Sequence, residues 1–190
     1  MSAFQTAIIS LAQYERMMEA GVFDGEFHQR VELIQGEIRQ MNPIGVRHAN
    51  SVTYLTEWSS PVLQQRLAHV RVQQPVLLPE SNSAPEPDVV WCRRRQYDRH
   101  PLPEDVLLLI EVSDATLHSD CGSKAMLYSS AGIEDYWVVN LVDDTIEVFR
   151  DPTKLGFKSR TTHARGESVA PLSYPELTLR VDDSVDPDLS

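Results

Sequence analysis

Asp88, Glu111 and Lys124 are the residues of this chain whose types and spacing could do chemistry. Glu111 is the oddest of them. It lies near the end of Val106-Leu107-Leu108-Leu109-Ile110-Glu111-Val112, an apolar run that reads as a strand covered on both faces. Taking an ionised carboxylate out of water costs several kcal/mol unless a lysine or a metal ion compensates it. Asp88 opens a shorter apolar run, Asp88-Val89-Val90-Trp91. If the two strands pair, both carboxylates fall at one end of a sheet. Converging carboxylates are the usual protein contribution to a Mg²⁺ site, where the ion keeps part of its water shell. Lys124 lies four residues after Asp120 and Tyr128 four after Lys124, so the three share a helical face. A lysine over a metal site can stabilise developing negative charge or orient an attacking water. Such a set suits phosphodiester cleavage.

The elements that must position these residues can be read from hydrophobic period and punctuation. Ser10 is placed to cap a helix reaching Ala20, with Gly21 as its stop, and Gly21-Val22-Phe23-Asp24-Gly25 then turns the chain. Alternating apolar residues on both sides of Gln35-Gly36 predict a hairpin over residues 30–41. Val52, Leu55, Trp58, Val62 and Leu63 predict a long helix from about His48 to Leu67 that Pro61 ends or kinks. Strands are predicted over 70–78, 88–91 and 106–112, and a helix over 120–131 that Gly132 can terminate. A second hairpin flanks Asp143-Asp144, with weaker strands near 156–162 and 177–181. The fold class is mixed α/β (α+β), with a central sheet flanked by helices. Residues 1–190 read as one domain, with an acidic, frayed tail from Asp182.

Composition limits what the site can serve. Seventeen Lys and Arg against 28 Asp and Glu give a net charge of -11, a poor match to a polyanion. That argues against tight non-specific DNA binding, but a bound divalent cation can reverse the potential locally. Cys92 and Cys121 belong to no metal or redox motif, and with His28, His69, His100, His118 and His163 they form no recognisable zinc set. The N-terminus lacks a basic signal region, and no apolar run reaches ~18 residues, so a cytoplasmic protein without a membrane segment is expected.

Glu86-Pro87-Asp88-Val89-Val90, Leu109-Ile110-Glu111-Val112-Ser113-Asp114, the Asp120, Lys124 and Tyr128 series and Gly132-Ile133 before Tyr136-Trp137-Val138 occur in an order that resembles the Uma family of restriction-type endonucleases. That family is a branch of the PD-(D/E)xK nuclease superfamily. The similarity extends to Val31-Glu32-Leu33-Ile34-Gln35-Gly36-Glu37 and to His48. It implies a restriction-endonuclease-like core, with Asp88 and Glu111 as the metal-binding acids, Mg²⁺ or Mn²⁺ as the cofactor and DNA as the substrate. In the parent motif a lysine follows the second acid by two residues, where this chain has Ser113. Lys124, on the next helix, is placed to replace it. Asn140 stands where the family often has Asp. Glu32 could join the metal shell, and a homodimer would bring two sites to two strands.

Plainer readings stand beside these. Asp88 could satisfy backbone N–H groups after a proline turn, and Glu111 and Lys124 could form a structural salt bridge. Asp120 could be a helix N-terminal acid favoured by the dipole, and Tyr128 a packing residue. His48 could contact phosphate or cap its helix, and Arg93, Arg94 and Arg95 could meet DNA phosphates or form a solvated loop. The whole could be a catalytically inactive binding or assembly module that keeps a nuclease-like fold. If Glu111 is buried beside Asp88, desolvation and like charge should raise the apparent pKa of the pair.

Overall fold

The computed structural model describes residues 7–24 and 30–188; Gly25 and His28 lie outside them. Helix α1 (Leu11–Glu19) begins at Ser10, where Ser10 Oγ accepts from Gln13 N–H and Gln13 Oε1 accepts from Ser10 N–H at 2.8 Å. This reciprocal pair satisfies donors that a helix start leaves free. Tyr14 is the buried residue of α1, and its hydroxyl donates to the Val31 carbonyl at 2.9 Å. Strands β1 (Val31–Ile34) and β2 (Glu37–Gln40) form the predicted hairpin. Its two turn residues, Gln35 (φ 53°) and Gly36 (φ 81°), are both left-handed, as the tightest hairpin turns require.

The long helix predicted over 48–67 is two helices, α2 (Val46–Trp58) and α3 (Ser60–Gln64). Pro61 has no N–H to continue the first helix, but it is accommodated in the first turn of the second.

Six strands make the central sheet, in the order β3 (Ala68–Val72), β4 (Val89–Arg93), β5 (Val106–Ser113), β6 (Asp135–Asn140), β7 (Thr145–Arg150) and β8 (Ser159–His163). Only the β5–β6 pair of this sheet is parallel. Between β5 and β6 the chain crosses over through α4 (Leu117–Ser119), a π turn (Asp120–Lys124) and α5 (Ala125–Ala131). Gly132, at φ 87°, ends α5 in the left-handed conformation that helix termini favour.

Alternate residues of β5 serve opposite faces, as its pleat demands. Leu108, Ile110 and Val112 pack with Val52, Leu55 and Trp137 on the α2 side. Leu109 packs with Ala125, Leu127 and Tyr128 on the α5 side. Glu111 and Ser113 share the Leu109 face, so the polar side chains of this strand look toward the crossover helix.

Two expectations are corrected. The strand predicted over 70–78 stops at Val72, because Gln73 adopts a left-handed φ of 50° and turns the chain, its N–H donating to the Asp88 carbonyl at 3.0 Å. The tail expected to fray from Asp182 instead begins in a helix, α6 (Val181–Val185), which follows a two-residue pairing of β9 (Ser168–Val169) with β10 (Leu179–Arg180), the latter where the weak strand near 177–181 was expected. Val181, Ser184 and Val185 are buried there. The aspartates of this segment are half-buried or exposed, so its acidic composition conceals an apolar face that seals the core beside α2.

Candidate active site

The β4–β5 register pairs Val89 with Ile110, which places Asp88 and Glu111 across from one another one step further along the ladder. Both are buried. Asp88 is held by three donors. His48 Nε2 and Gln73 Nε2 reach its Oδ1 at 3.0 and 3.1 Å, and the Val112 N–H reaches Oδ2 at 2.8 Å. Glu111 is held on one side only: Lys124 Nζ donates to Oε1 at 3.1 Å and the Tyr128 hydroxyl donates to the same oxygen at 2.8 Å. Each carboxylate therefore keeps an oxygen with unused acceptor capacity, Asp88 Oδ2 and Glu111 Oε2.

Lys124 stands among three acids. Besides Glu111, its ammonium lies 3.4 Å from Glu32 Oε2 and 3.9 Å from Asp120 Oδ1. Those two oxygens are buried without a hydrogen-bond partner among the described residues. Asp120 Oδ2 is satisfied, accepting from Ser113 Oγ at 2.6 Å. Asp120 is thus not an exposed helix-terminal acid. The π turn carries it over the sheet, and the Tyr136 hydroxyl donates to its carbonyl at 2.9 Å. Such widened turns are rare and occur often at functional sites.

A cleft of about 180 Å³ opens over this cluster, lined by five carboxylates (Glu32, Asp88, Glu111, Asp114 and Asp120), by Arg30 and Lys124, by His48 and by the segment that joins β2 to α2. A larger cavity of about 760 Å³ lies elsewhere, beside Arg93 and Lys154, and is lined by neither Asp88 nor Glu111.

The electrostatics divide the two central carboxylates. Burial would raise Asp88, but the His48, Val112 and Gln73 hydrogen bonds outweigh it, and Asp88 is held below the ordinary carboxylate range. Burial pushes Glu111 up to about 8, against the pull of Lys124 and with help from the charges of Asp120, Asp88 and Glu32. Burial also raises Asp120, against Lys124 and its hydrogen bond from Ser113. The expectation that both members of the pair rise is therefore corrected for Asp88. Its three donors are the reason, and the site has one acid kept ionised and another poised to hold a proton near neutrality.

The donor set fits a hard divalent cation. Carboxylate oxygens with acceptor capacity left on Asp88 and Glu111, in a cleft with more acids than bases, match the oxygen preference of Mg²⁺ and Mn²⁺. Among the described residues, no group of three or more His, Cys, Asp or Glu side chains stands already arranged around a metal position. Lys124 occupies the space among the acids instead.

Sequence reasoning located Asp88, Glu111, Lys124, Glu32, Asp120, Ser113 and His48, and the fold brings all seven together. Arg93, Arg94 and Arg95 stand apart from this cluster. Arg93 ends β4, about 17 Å from Asp88 at the rise of a strand, and donates to the Glu104 carbonyl, while Arg95, just past the strand, pairs with Asp105 at 2.6 Å. Gln73 was missed, and its type and spacing carry no signal for it. Tyr128 was undervalued. Its four-residue spacing from Lys124 was the available clue, and both side chains meet at Glu111 Oε1.

Comparison with known proteins gives a family and a fold. The sequence matches the Uma2 family, described as "Putative restriction endonuclease", over residues 11–182. No curated protein matches it. Among solved structures, "a putative nuclease belonging to DUF820 from Anabaena variabilis ATCC 29413" superimposes with a TM-score of 0.70 at 16% identity. The alignment covers 93% of this chain and 97% of that one, and at this identity the likeness concerns the fold.

Proposed function

This chain belongs to the Uma2 family, and on that premise we propose that it is a divalent-cation-dependent endonuclease that hydrolyses DNA phosphodiester bonds in the cleft over β4 and β5. The observation that carries the reading is the pairing of Asp88 and Glu111 at one sheet end, each with acceptor capacity left on one oxygen. Those two oxygens would hold Mg²⁺ or Mn²⁺, which when bound supplies Lewis acidity at a phosphoryl oxygen and a more acidic water.

The protein groups have separable tasks. His48 and Gln73 fix the Asp88 carboxylate and keep it ionised. Tyr128 and Lys124 fix one oxygen of Glu111, so that its rotamer is set before any ligand arrives. Lys124 also offsets Glu32 and Asp120, which would otherwise be uncompensated buried charges. Ser113, in the position of the parent motif's lysine, orients Asp120 instead of supplying charge. Cleavage of both strands calls for two sites, and a homodimer is the assembly we infer. Both cysteines are free thiols, which suits the reducing cytoplasm we assign to it. Among the described residues no helix is long and apolar enough to cross a membrane.

Supercoiled plasmid incubated with purified protein and Mg²⁺ or Mn²⁺ tests the reading. Nicked and linear products are expected from the native protein and not from Glu111→Gln. Equal cleavage by both proteins would remove Glu111 from the mechanism. A second reading, an inactive module, draws on Lys124 already lying among three acids. Failure of the native protein to bind either cation in calorimetry would favour it.

A further inference from the structure

The cleft's basic side chains are unequally committed. Lys124 is surrounded by Glu111, Glu32 and Asp120 and has little left to offer a ligand. Arg47, at the start of α2, lies outside the cleft lining and is spent on Asp144 and on the carbonyls of Leu141 and Val185. Arg30 differs. It lines the cleft immediately before β1, its carbonyl anchored by the Met41 N–H at 2.9 Å. Among the described residues its charged contact is Glu86, whose carboxylate Arg30 holds down against the burial that raises it; at 3.6 Å this is an ion pair too long for a full hydrogen bond, and Nη2 is buried with no hydrogen-bond partner at normal distance. A guanidinium has five donors in a rigid fork suited to carboxylate or phosphate oxygens. A buried donor left unsatisfied costs about 1–3 kcal/mol, so its retention at the wall of a polar cleft points to a partner that arrives with a ligand.

The ligand must be anionic, and it must enter a cleft whose own acids would repel it. A cation held between Asp88 and Glu111 would lower that repulsion, and a second positive group would then be needed beside the anion. Arg30 is the cleft cation with donors to spare.

We propose that Arg30 is the phosphate-binding residue of this cleft, its guanidinium leaving Glu86 to donate to a non-bridging oxygen of a phosphodiester. The identity of the ligand rests on the nuclease reading, whereas the assignment of an oxyanion contact to Arg30 rests on its unmet donors.

The test uses the native full chain with Ca²⁺ in place of Mg²⁺, a hard cation that takes the same oxygen ligands with looser geometry, so that the cation site stays filled while binding is measured without cleavage. A fluorescein-labelled duplex of about 20 base pairs is titrated with protein plus Ca²⁺ between about 50 and 200 mM salt, the range where counterion release dominates. Arg30→Met should weaken binding on the order of tenfold and lower the slope of log K against log salt by about 0.9, the value of one phosphate contact. Arg30→Lys should restore the slope but not the full affinity, because charge returns without the fork. A residue that only braced the hairpin would not change the salt slope. Circular dichroism spectra matching the parent would establish that each variant is folded. An unchanged slope and affinity in folded Arg30→Met would overturn the proposal, as would a parent protein that binds no duplex. The nuclease reading is judged separately, by cleavage of the same duplex by the native chain with Mg²⁺. Arg30-dependent binding without cleavage would sink that reading and leave this one intact.

Discussion

Replacing Glu111 by Gln should stabilise the protein near neutral pH while abolishing its activity. The introduced amide would keep an oxygen for the hydrogen bonds from Lys124 and Tyr128, so the substitution removes the ionisation and little else. In the folded protein burial pushes Glu111 from an ordinary 4.5 to about 8. Its pKa is raised on folding, so its favourable contribution is complete below about pH 4.5 and is lost as pH rises through 8. Across that window the native chain loses about 1.4 kcal/mol per pH unit relative to a neutral residue. Between about pH 5 and pH 7 the stability advantage of Glu111→Gln should therefore grow by about 3 kcal/mol, and above about pH 8 it should level off. Urea denaturation at half-unit pH steps, in chelator, measures it directly. Saturating Mn²⁺ should narrow the gap, because a cation that binds only the folded native chain stabilises it by mass action. Parallel curves for the two proteins across this pH range would refute the reasoning, since they would mean that Glu111 ionises as it does in an unfolded chain.

The neighbours of Glu111 and the C-terminal helix give three further expectations. Lys124→Met leaves Glu111, Glu32 and Asp120 without their cation and should cost about 3–5 kcal/mol at about pH 8, with a smaller loss at about pH 5, where Glu111 carries its proton; denaturation at the two pH values compares them. Tyr128→Phe removes the 2.8 Å hydrogen bond to Glu111 Oε1 and should cost about 1–3 kcal/mol, again by urea titration, with the Mn²⁺ affinity falling because the carboxylate is no longer held. Val185→Ala, in α6, should cost about 2 kcal/mol by opening a cavity against α2. A thermal midpoint unchanged from the native protein would mean that the tail contributes nothing to the core.

The hairpin of residues 30–41, the capped first helix, the central strands and the crossover helix were legible because each carries a local signal. Ser10 with Gly21, Gln35-Gly36, the apolar run before Glu111 and Gly132 declare their elements in a few residues. The acids and lysine of the site were legible for a related reason, since charge at the end of an apolar strand or at four-residue spacing on a helix is conspicuous. What stayed hidden depends on contacts distant in sequence. Gln73 is an ordinary glutamine until a left-handed turn aims it at Asp88, fifteen residues away. The π turn at Asp120–Lys124 leaves no mark in composition, yet it decides where those two side chains meet Ser113 and Glu111. The C-terminal helix was misjudged because its aspartates dominate a short stretch in which Val181, Ser184 and Val185 are the buried residues. The arginine run after β4 was conspicuous, but nothing in the sequence shows that a strand's length separates it from the acids.

The central claim is that Asp88 and Glu111 together form a divalent-cation site. A crystal structure of the native chain with Mn²⁺, recorded at the manganese absorption edge, tests it most directly. One anomalous peak is predicted, ligated by Asp88 Oδ2 and Glu111 Oε2 and absent from Glu111→Gln crystals prepared identically. Manganese bound elsewhere, or a peak that survives in Glu111→Gln, would contradict the account.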